Sequence, residues 1–344
     1  MAPSSIEKHT LIERFVGLIP LPYPLAALIW AVVLPGTPGF YVITQYIANG
    51  SSGVSLALLP NASLSFLLPF YLFLIVRYTR LRVVEAESPL AVRLSGGPHE
   101  YERAFGRMTQ TVPVIAFAAI LGTLLLAIYA SVGILPAAPW LIAVNAFIVY
   151  LNVLAFSTYF WEFVIASLGL YRLGSGSLKL ASFLEDRMMG VRPMGNLALS
   201  LTTAYFGGLL VTYLLLSTFL PSSVASTAML LAFLLLGVAL FFLPLGSIHT
   251  KMQAEKRRLL REIGARYPRL DKDQSRPREN ATLEDVHSGL ARLTDLQEVE
   301  MLDRKIASLP TWPFDIQVVS RFVTIVLSVT AVLVSRLITG FLKI

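Results

Sequence analysis

Cysteine is absent from all 344 residues. That excludes disulfides, thiolate catalysis and cysteine-ligated zinc or iron–sulfur centres. Charge is scarce too: Asp, Glu, Lys and Arg make up 14% of the chain, against about 25% in an average soluble domain. Only 4 histidines occur. His9, His99, His249 and His287 lie far apart, and no pair has the four-residue spacing with which a helix presents two metal ligands. The glycine pairs Gly96-Gly97 and Gly174-Ser175-Gly176 lack the Lys-Ser/Thr that follows a phosphate-cradling loop. No nucleophile elbow occurs, and no apolar span holds paired carboxylates. The chain is therefore not expected to be an enzyme, and neither a cofactor nor a metal is expected.

What is abundant is apolar. Hydrophobic residues account for 55% of the sequence and mean hydropathy is +0.68. Between Arg14 and Arg77 no charged residue occurs. A bilayer core about 30 Å thick needs about 20 apolar residues per helical pass. By that rule the expected spans run Phe15–Leu34, Leu56–Val76, Val112–Leu135, Pro139–Trp161, Leu197–Leu220, Ala225–Leu245 and Ile316–Phe341. The expected fold is all-α, a polytopic transmembrane bundle of about seven spans. It becomes about six if Pro20, Pro22 and Pro24 turn the first into a re-entrant half-helix. Three parts are expected: a transmembrane domain over 1–245, a cytoplasmic helical hairpin over 246–313, and a final span over 314–344.

The net charge of +7 does not imply nucleic acid, because the cations gather in alternate loops. Arg77, Arg80, Arg82, Arg93, Arg103 and Arg107 follow the second span, and Arg172, Lys179, Arg187 and Arg192 follow the fourth. Loops 35–55, 134–138 and 221–224 carry none. The positive-inside rule then places the N-terminus and 246–313 in the cytoplasm and the C-terminus outside a plasma membrane. Asn49 and Asn61 begin Asn-x-Ser patterns on the external side.

Within the cytoplasmic loops, amphipathic segments are expected over 80–110 and 173–195. In the first, Tyr101, Phe105 and Met108 share a face. In the second, Leu180, Leu184 and Met188 do, predicting an interfacial helix over 177–189. The hairpin's first arm is basic and striped by Ile248, Met252, Leu259 and Ile263. Its acidic second arm starts at a Thr282 cap with Asp285 three residues on. That arm is striped by Val286, Leu290, Leu293, Leu296, Val299, Leu302, Ile306 and Leu309. Stripes flanked by opposite charges suit coiled-coil pairing within or between subunits.

Candidate site residues are few. Arg321 and Arg336 stand about 22 Å apart by helical rise, one near each interface, suited to snorkelling or to two vestibules. Glu162 closes the fourth span, and Asn145 and Asn152 lie deeper in it. These five residues are the candidate vestibule or interface positions. Ser200, Ala204 and Gly208 form a small-residue face for close helix packing. The expected partners are the lipid bilayer and either identical subunits or a larger membrane complex. Two functions fit these features: an oligomeric ion channel or pore, and a non-transporting scaffold that docks a partner through its hairpin. A lipid-directed intramembrane enzyme built from Glu162, Arg172 and His249 fits less well.

Overall fold

Proline and glycine decide where the first helices end. Helix α1 (Leu11–Val16) starts on a capping box in which Thr10 and Glu13 each bond the other's backbone N–H, the reciprocal arrangement that satisfies two orphan donors. It stops at Gly17, and Pro20, Pro22 and Pro24 follow, so α2 (Tyr23–Val33) restarts with a proline in its first turn. The expected span Phe15–Leu34 is therefore two short helices. At 11 residues, α2 rises about 16 Å, half a hydrocarbon core.

The computed structural model describes residues 6–35, 39, 46, 64–132, 138–176, 178–219, 224–266 and 283–342. It is all-helical, at 82% helix, with a single antiparallel bridge between Leu94 and Leu178 outside the helices. After α2 come α3 (Leu67–Ala91), α4 (Gly97–Phe105) with a 3-10 turn over Gly106–Thr109, α5 (Thr111–Val132), α6 (Pro139–Ser175), α7 (Arg192–Phe219), α8 (Val224–Gly264), α9 (Leu283–Ala307) and α10 (Ile316–Leu342). Asn49, Asn61 and Thr282 lie outside the described residues.

Among the described residues four helices are long and apolar enough to cross a membrane: α5 together with the α4 segment that leads into it, α6, α7 and α8. Their outward faces are greasy, with Val112, Ile120, Leu235 and Leu243 each at least 60% exposed. The expected count of about seven is not confirmed on this criterion. In α3 only Leu67–Val76 precede Arg77, and the described apolar part of α10, Ile316–Val332, falls in the shorter class.

Helix α6 is the hub, packing against α1, α3, α4, α5, α7 and α8. Close approach there rests on glycine: a Cβ on Gly174 would stand 2.6 Å from Ile248 of α8. The small-residue face of α7 meets α3. The Tyr71 hydroxyl donates to the Ala204 carbonyl, and its ring covers Gly207 and Gly208. Ser200 lies apart, its hydroxyl bonded back to Asn196.

Segment 177–189 is not the expected helix. The Asp186 carboxylate accepts from the backbone N–H groups of Met188 and Gly190, and the Ala181 N–H bonds the Met189 carbonyl. Met189 and Gly190 take φ of 52° and 79°. A side chain bonding its own neighbouring backbone competes with helix formation, and here it prevails. By contrast α4 is present, with Tyr101, Phe105 and Met108 all buried.

The hairpin is half closed. Helix α8 runs unbroken through Pro244 for 41 residues, so the sixth expected span and the basic arm are one rod of about 60 Å. Ile248 and Met252 pack into the main bundle. Only Leu259 and Ile263 meet the acidic arm, at Val299, Leu302, Ile306 and Leu309. Lys256 fastens this end by donating to the Ala307 and Leu309 carbonyls. The ion pairs on the arms (Arg258 with Glu255 and Glu262, Arg304 with Glu300) lie within one helix each. None crosses between the arms among the described residues.

The stretch 309–315, LPTWPFD, ties three helices together. Trp312 stacks on His249 at 4.2 Å, whose Nδ1 lies 2.8 Å from the Thr311 carbonyl oxygen, and Phe314 packs on Phe241. Asp315 caps α10 and pairs with Arg192 of α7 at 2.8 Å. A Cβ on Gly195 would stand 2.0 Å from the Pro313 carbonyl oxygen, a backbone atom that cannot swing aside. Gly195→Ala is therefore expected to cost about 1–3 kcal/mol. A thermal-unfolding midpoint equal to wild type in detergent would show that the α7–α10 junction is looser than described.

Candidate functional site

The site grows from the α1 capping box. Glu13, besides capping Thr10, faces Arg80 of α3. The Arg80 Nε donates to Glu13 Oε2 at 2.8 Å and its Nη2 to Oε1 at 2.8 Å, a two-pronged pair whose side chains are 2% and 6% exposed. Such fork geometry is among the strongest charge-assisted contacts. The remaining Arg80 nitrogen donates to the Glu7 carbonyl at 3.2 Å, and His9 Nδ1 lies 3.4 Å from Nη2. Arg80 is thus buried in a helix and committed to Glu13, not the loop cation that the charge pattern suggested.

Beside the pair, the Tyr23 hydroxyl donates to the Phe73 carbonyl at 2.8 Å, and the Arg77 guanidinium sits 4.5 Å from the Tyr23 ring centroid. Proline and glycine hold α1 and α2 apart here. A cavity of about 530 Å³ opens between them, lined by His9, Glu13, Arg14, Tyr23 and Arg77. His9, Arg14 and Arg77 place its mouth at the basic end of the bundle.

Glu162 lies on the hub helix within electrostatic reach of Glu13 and Arg80. It is fully buried, and neither carboxylate oxygen has a hydrogen-bond partner among the described residues. The expected companions Arg172 and His249 are elsewhere: His249 is occupied by Trp312 and Thr311. A triad of Glu162, Arg172 and His249 is not formed.

Above Glu162 the same helix carries a polar ridge. Asn145, Asn152 and Tyr159 recur every seven residues, which keeps them on one face with about 20° of drift per step. Asn145 Oδ1, Asn152 Oδ1 and Tyr159 Oη are buried and, like Glu162, have no hydrogen-bond partner among the described residues. The Asn152 amide donates back to Ile148 at 2.9 Å. From Asn145 to Glu162 the ridge rises about 25 Å, most of a hydrocarbon core. Buried polar atoms are nearly always bonded, so four such residues on one helix depart from the ordinary pattern.

Of the remaining sequence candidates, Arg321 is exposed at the start of α10 and lines a cavity that Glu162 does not border. Arg336 falls within α10, but its side chain lies outside the described residues. Sequence reasoning missed Glu13, Arg80, Tyr23 and Tyr159. A signal existed for the first, since Thr10-x-x-Glu13 ahead of an apolar run is a capping-box pattern. Nothing in the sequence pairs Glu13 with Arg80.

No cluster of three or more His, Asp or Glu with metal-binding geometry occurs among the described residues. Comparison with protein-family models, with curated proteins and with solved structures finds no match to this chain.

Proposed function

We propose that this chain is a multi-pass plasma-membrane protein that conducts protons or small cations, acting as an oligomeric ion channel or pore. The observation that carries this reading is Glu162: wholly buried on the hub helix and without a hydrogen-bond partner among the described residues. An isolated carboxylate in low dielectric is costly to keep ionised, so a proton or a cation must accompany it. Arg80 cannot serve, because its guanidinium is held by Glu13. Ionisable groups at membrane depth are retained mainly where they handle charge. The ridge Tyr159–Asn152–Asn145 supplies the rest of the conduction course, and the cavity beside Glu13 and Tyr23 supplies entry from the cytoplasmic side.

The test is flux. Proteoliposomes loaded with a pH-sensitive dye and driven by a potassium diffusion potential should acidify or alkalinise with the imposed voltage. Vesicles as tight as protein-free ones, for protons and for sodium and potassium, would remove the reading.

The absence of cysteine makes the proposed orientation easy to check. Ser95→Cys and Thr294→Cys are expected to react with a membrane-impermeant maleimide from the same side, the cytoplasmic one. Labelling from opposite sides would break the arrangement.

A scaffold role has its own support in α9, where Leu290, Leu293 and Met301 are 58%, 55% and 66% exposed. Apolar side chains of this size on a polar arm suit a sister subunit or another membrane-complex member.

A further inference from the structure

A second cavity, of about 590 Å³, lies where α3, α7 and α10 meet. It is separate from the Glu13–Arg80–Glu162 site and shares no lining residue with the first cavity. Its rim carries three arginines from three helices: Arg82, Arg192 and Arg321. Two already hold carboxylates, Arg82 with Glu85 at 2.7 Å and Arg192 with Asp315 at 2.8 Å. Arg321 has neither a carboxylate nor a hydrogen-bond partner among the described residues. One positive charge is thus left over in the cavity, beside two guanidiniums that each keep unused N–H donors.

The wall behind this rim is mixed, with Asn196, Ser200 and Gln317 beside an apolar part. Ala86, Leu197 and Val318 line it and are each buried. It also sits beside the Trp312–Phe314 aromatic pair, whose Phe314 precedes Asp315. Tryptophan next to arginine at the end of apolar helices marks the level of lipid headgroups. Guanidiniums converging from several elements are the usual means of recognising phosphate, and basic pockets between helices take phospholipid headgroups.

We propose that this cavity is a phosphate-recognition site, with Arg321 as the residue that supplies the uncompensated charge and Arg82 and Arg192 as its flanking donors. The ligand class is a phosphate mono- or diester, either the headgroup of an anionic phospholipid or a soluble phosphate. Its occupation would bridge α3, α7 and α10 and stiffen their junction. The inference is independent of ion conduction, since it uses neither Glu162 nor the α6 ridge.

Full-length protein in neutral detergent, examined by native mass spectrometry with added phosphatidylglycerol, tests it. Wild type is expected to retain the lipid as a discrete adduct, and Arg321→Gln to retain about fivefold to tenfold less. The control is Arg266→Gln, which removes the same charge at the exposed end of α8 and should leave the adduct unchanged. Inorganic phosphate distinguishes the sources. If an excess of it leaves the lipid adduct intact, the headgroup is the ligand. If phosphate displaces the lipid and raises the unfolding midpoint of wild type but not of Arg321→Gln, a soluble phosphate is. Equal retention by wild type and Arg321→Gln with no phosphate effect would overturn the proposal. So would an equal loss in Arg266→Gln, which would make the attraction one of bulk charge.

Discussion

Glu162→Gln is expected to cut proton or cation flux by about two orders of magnitude, the scale on which a positioned proton-handling group acts. The glutamine keeps the volume and the buried polar head but can carry neither the charge nor the exchangeable acid proton. The companion substitution Glu162→Leu separates function from stability. It removes two buried acceptors that have no hydrogen-bond partner among the described residues and fills the space with apolar atoms. Unmade hydrogen bonds of this kind cost about 1–3 kcal/mol, so the leucine variant should unfold at a higher temperature than wild type while also being inactive. A more stable but silent protein is the pattern of a residue kept for function at a stability cost. If Glu162→Leu were instead destabilised and Glu162→Gln fully active, Glu162 would be a structural residue and the conduction reading would fail.

Arg80→Met should be the most damaging single change to folding, at about 3–5 kcal/mol. The loss arises less from the missing attraction than from what is left behind: Glu13, 5% exposed, with only the His9 ring, 3.8 Å from Oε2, near its carboxylate. Two further variants separate these terms. Arg80→Lys keeps the charge but gives up the fork that bonds both carboxylate oxygens, and should lose about 1–2 kcal/mol. The double change Glu13→Leu with Arg80→Met removes both charges and is expected to recover most of the loss, since a buried pair is often replaced by apolar residues at little cost. Denaturant unfolding in mixed micelles reads all three. A double variant as unstable as Arg80→Met alone would mean that Arg80 is held chiefly by its contacts to Glu7 and His9.

The two results are linked by geometry. Because Glu13 and Arg80 neutralise each other, Glu162 is the ionisable group left without a fixed counter-ion. Breaking the pair should therefore disturb conduction as well as folding, whereas the Gly195→Ala change at the α7–α10 junction should affect folding alone.

Composition alone carried the all-helical class. Runs such as Leu141–Phe160 have no way to satisfy their backbone in an apolar medium except as helices, and α5, α6, α7 and α8 stand where the apolar runs lie. The stops were partly legible as well. Three prolines in five residues after Gly17 left the first span open to breakage, and it is broken. Where local chemistry competes with periodicity, the reading failed: leucines and methionines spaced for a helix over 177–189 lost to one aspartate bonding two backbone N–H groups. The hairpin stripes failed differently. Ile248 and Met252 share a face with Leu259 and Ile263, but the unbroken rod of α8 puts the first two inside the bundle, leaving Leu290 and Leu293 uncovered.

For the site, the sequence by itself determined the ingredients: a carboxylate within the apolar helix at 162, asparagines at 145 and 152, and arginines at 80 and 321. It could not determine their company. Glu13 and Arg80 are separated by a long uncharged stretch, and a charge pattern counts both as solvated loop residues. Only the packing of α1 against α3 and α6 buries them together, and in low dielectric that proximity decides which group is neutralised and which is left over. Periodicity reports which face a residue occupies. The tertiary structure decides what that face meets, because contact energies depend on neighbours drawn from remote parts of the chain.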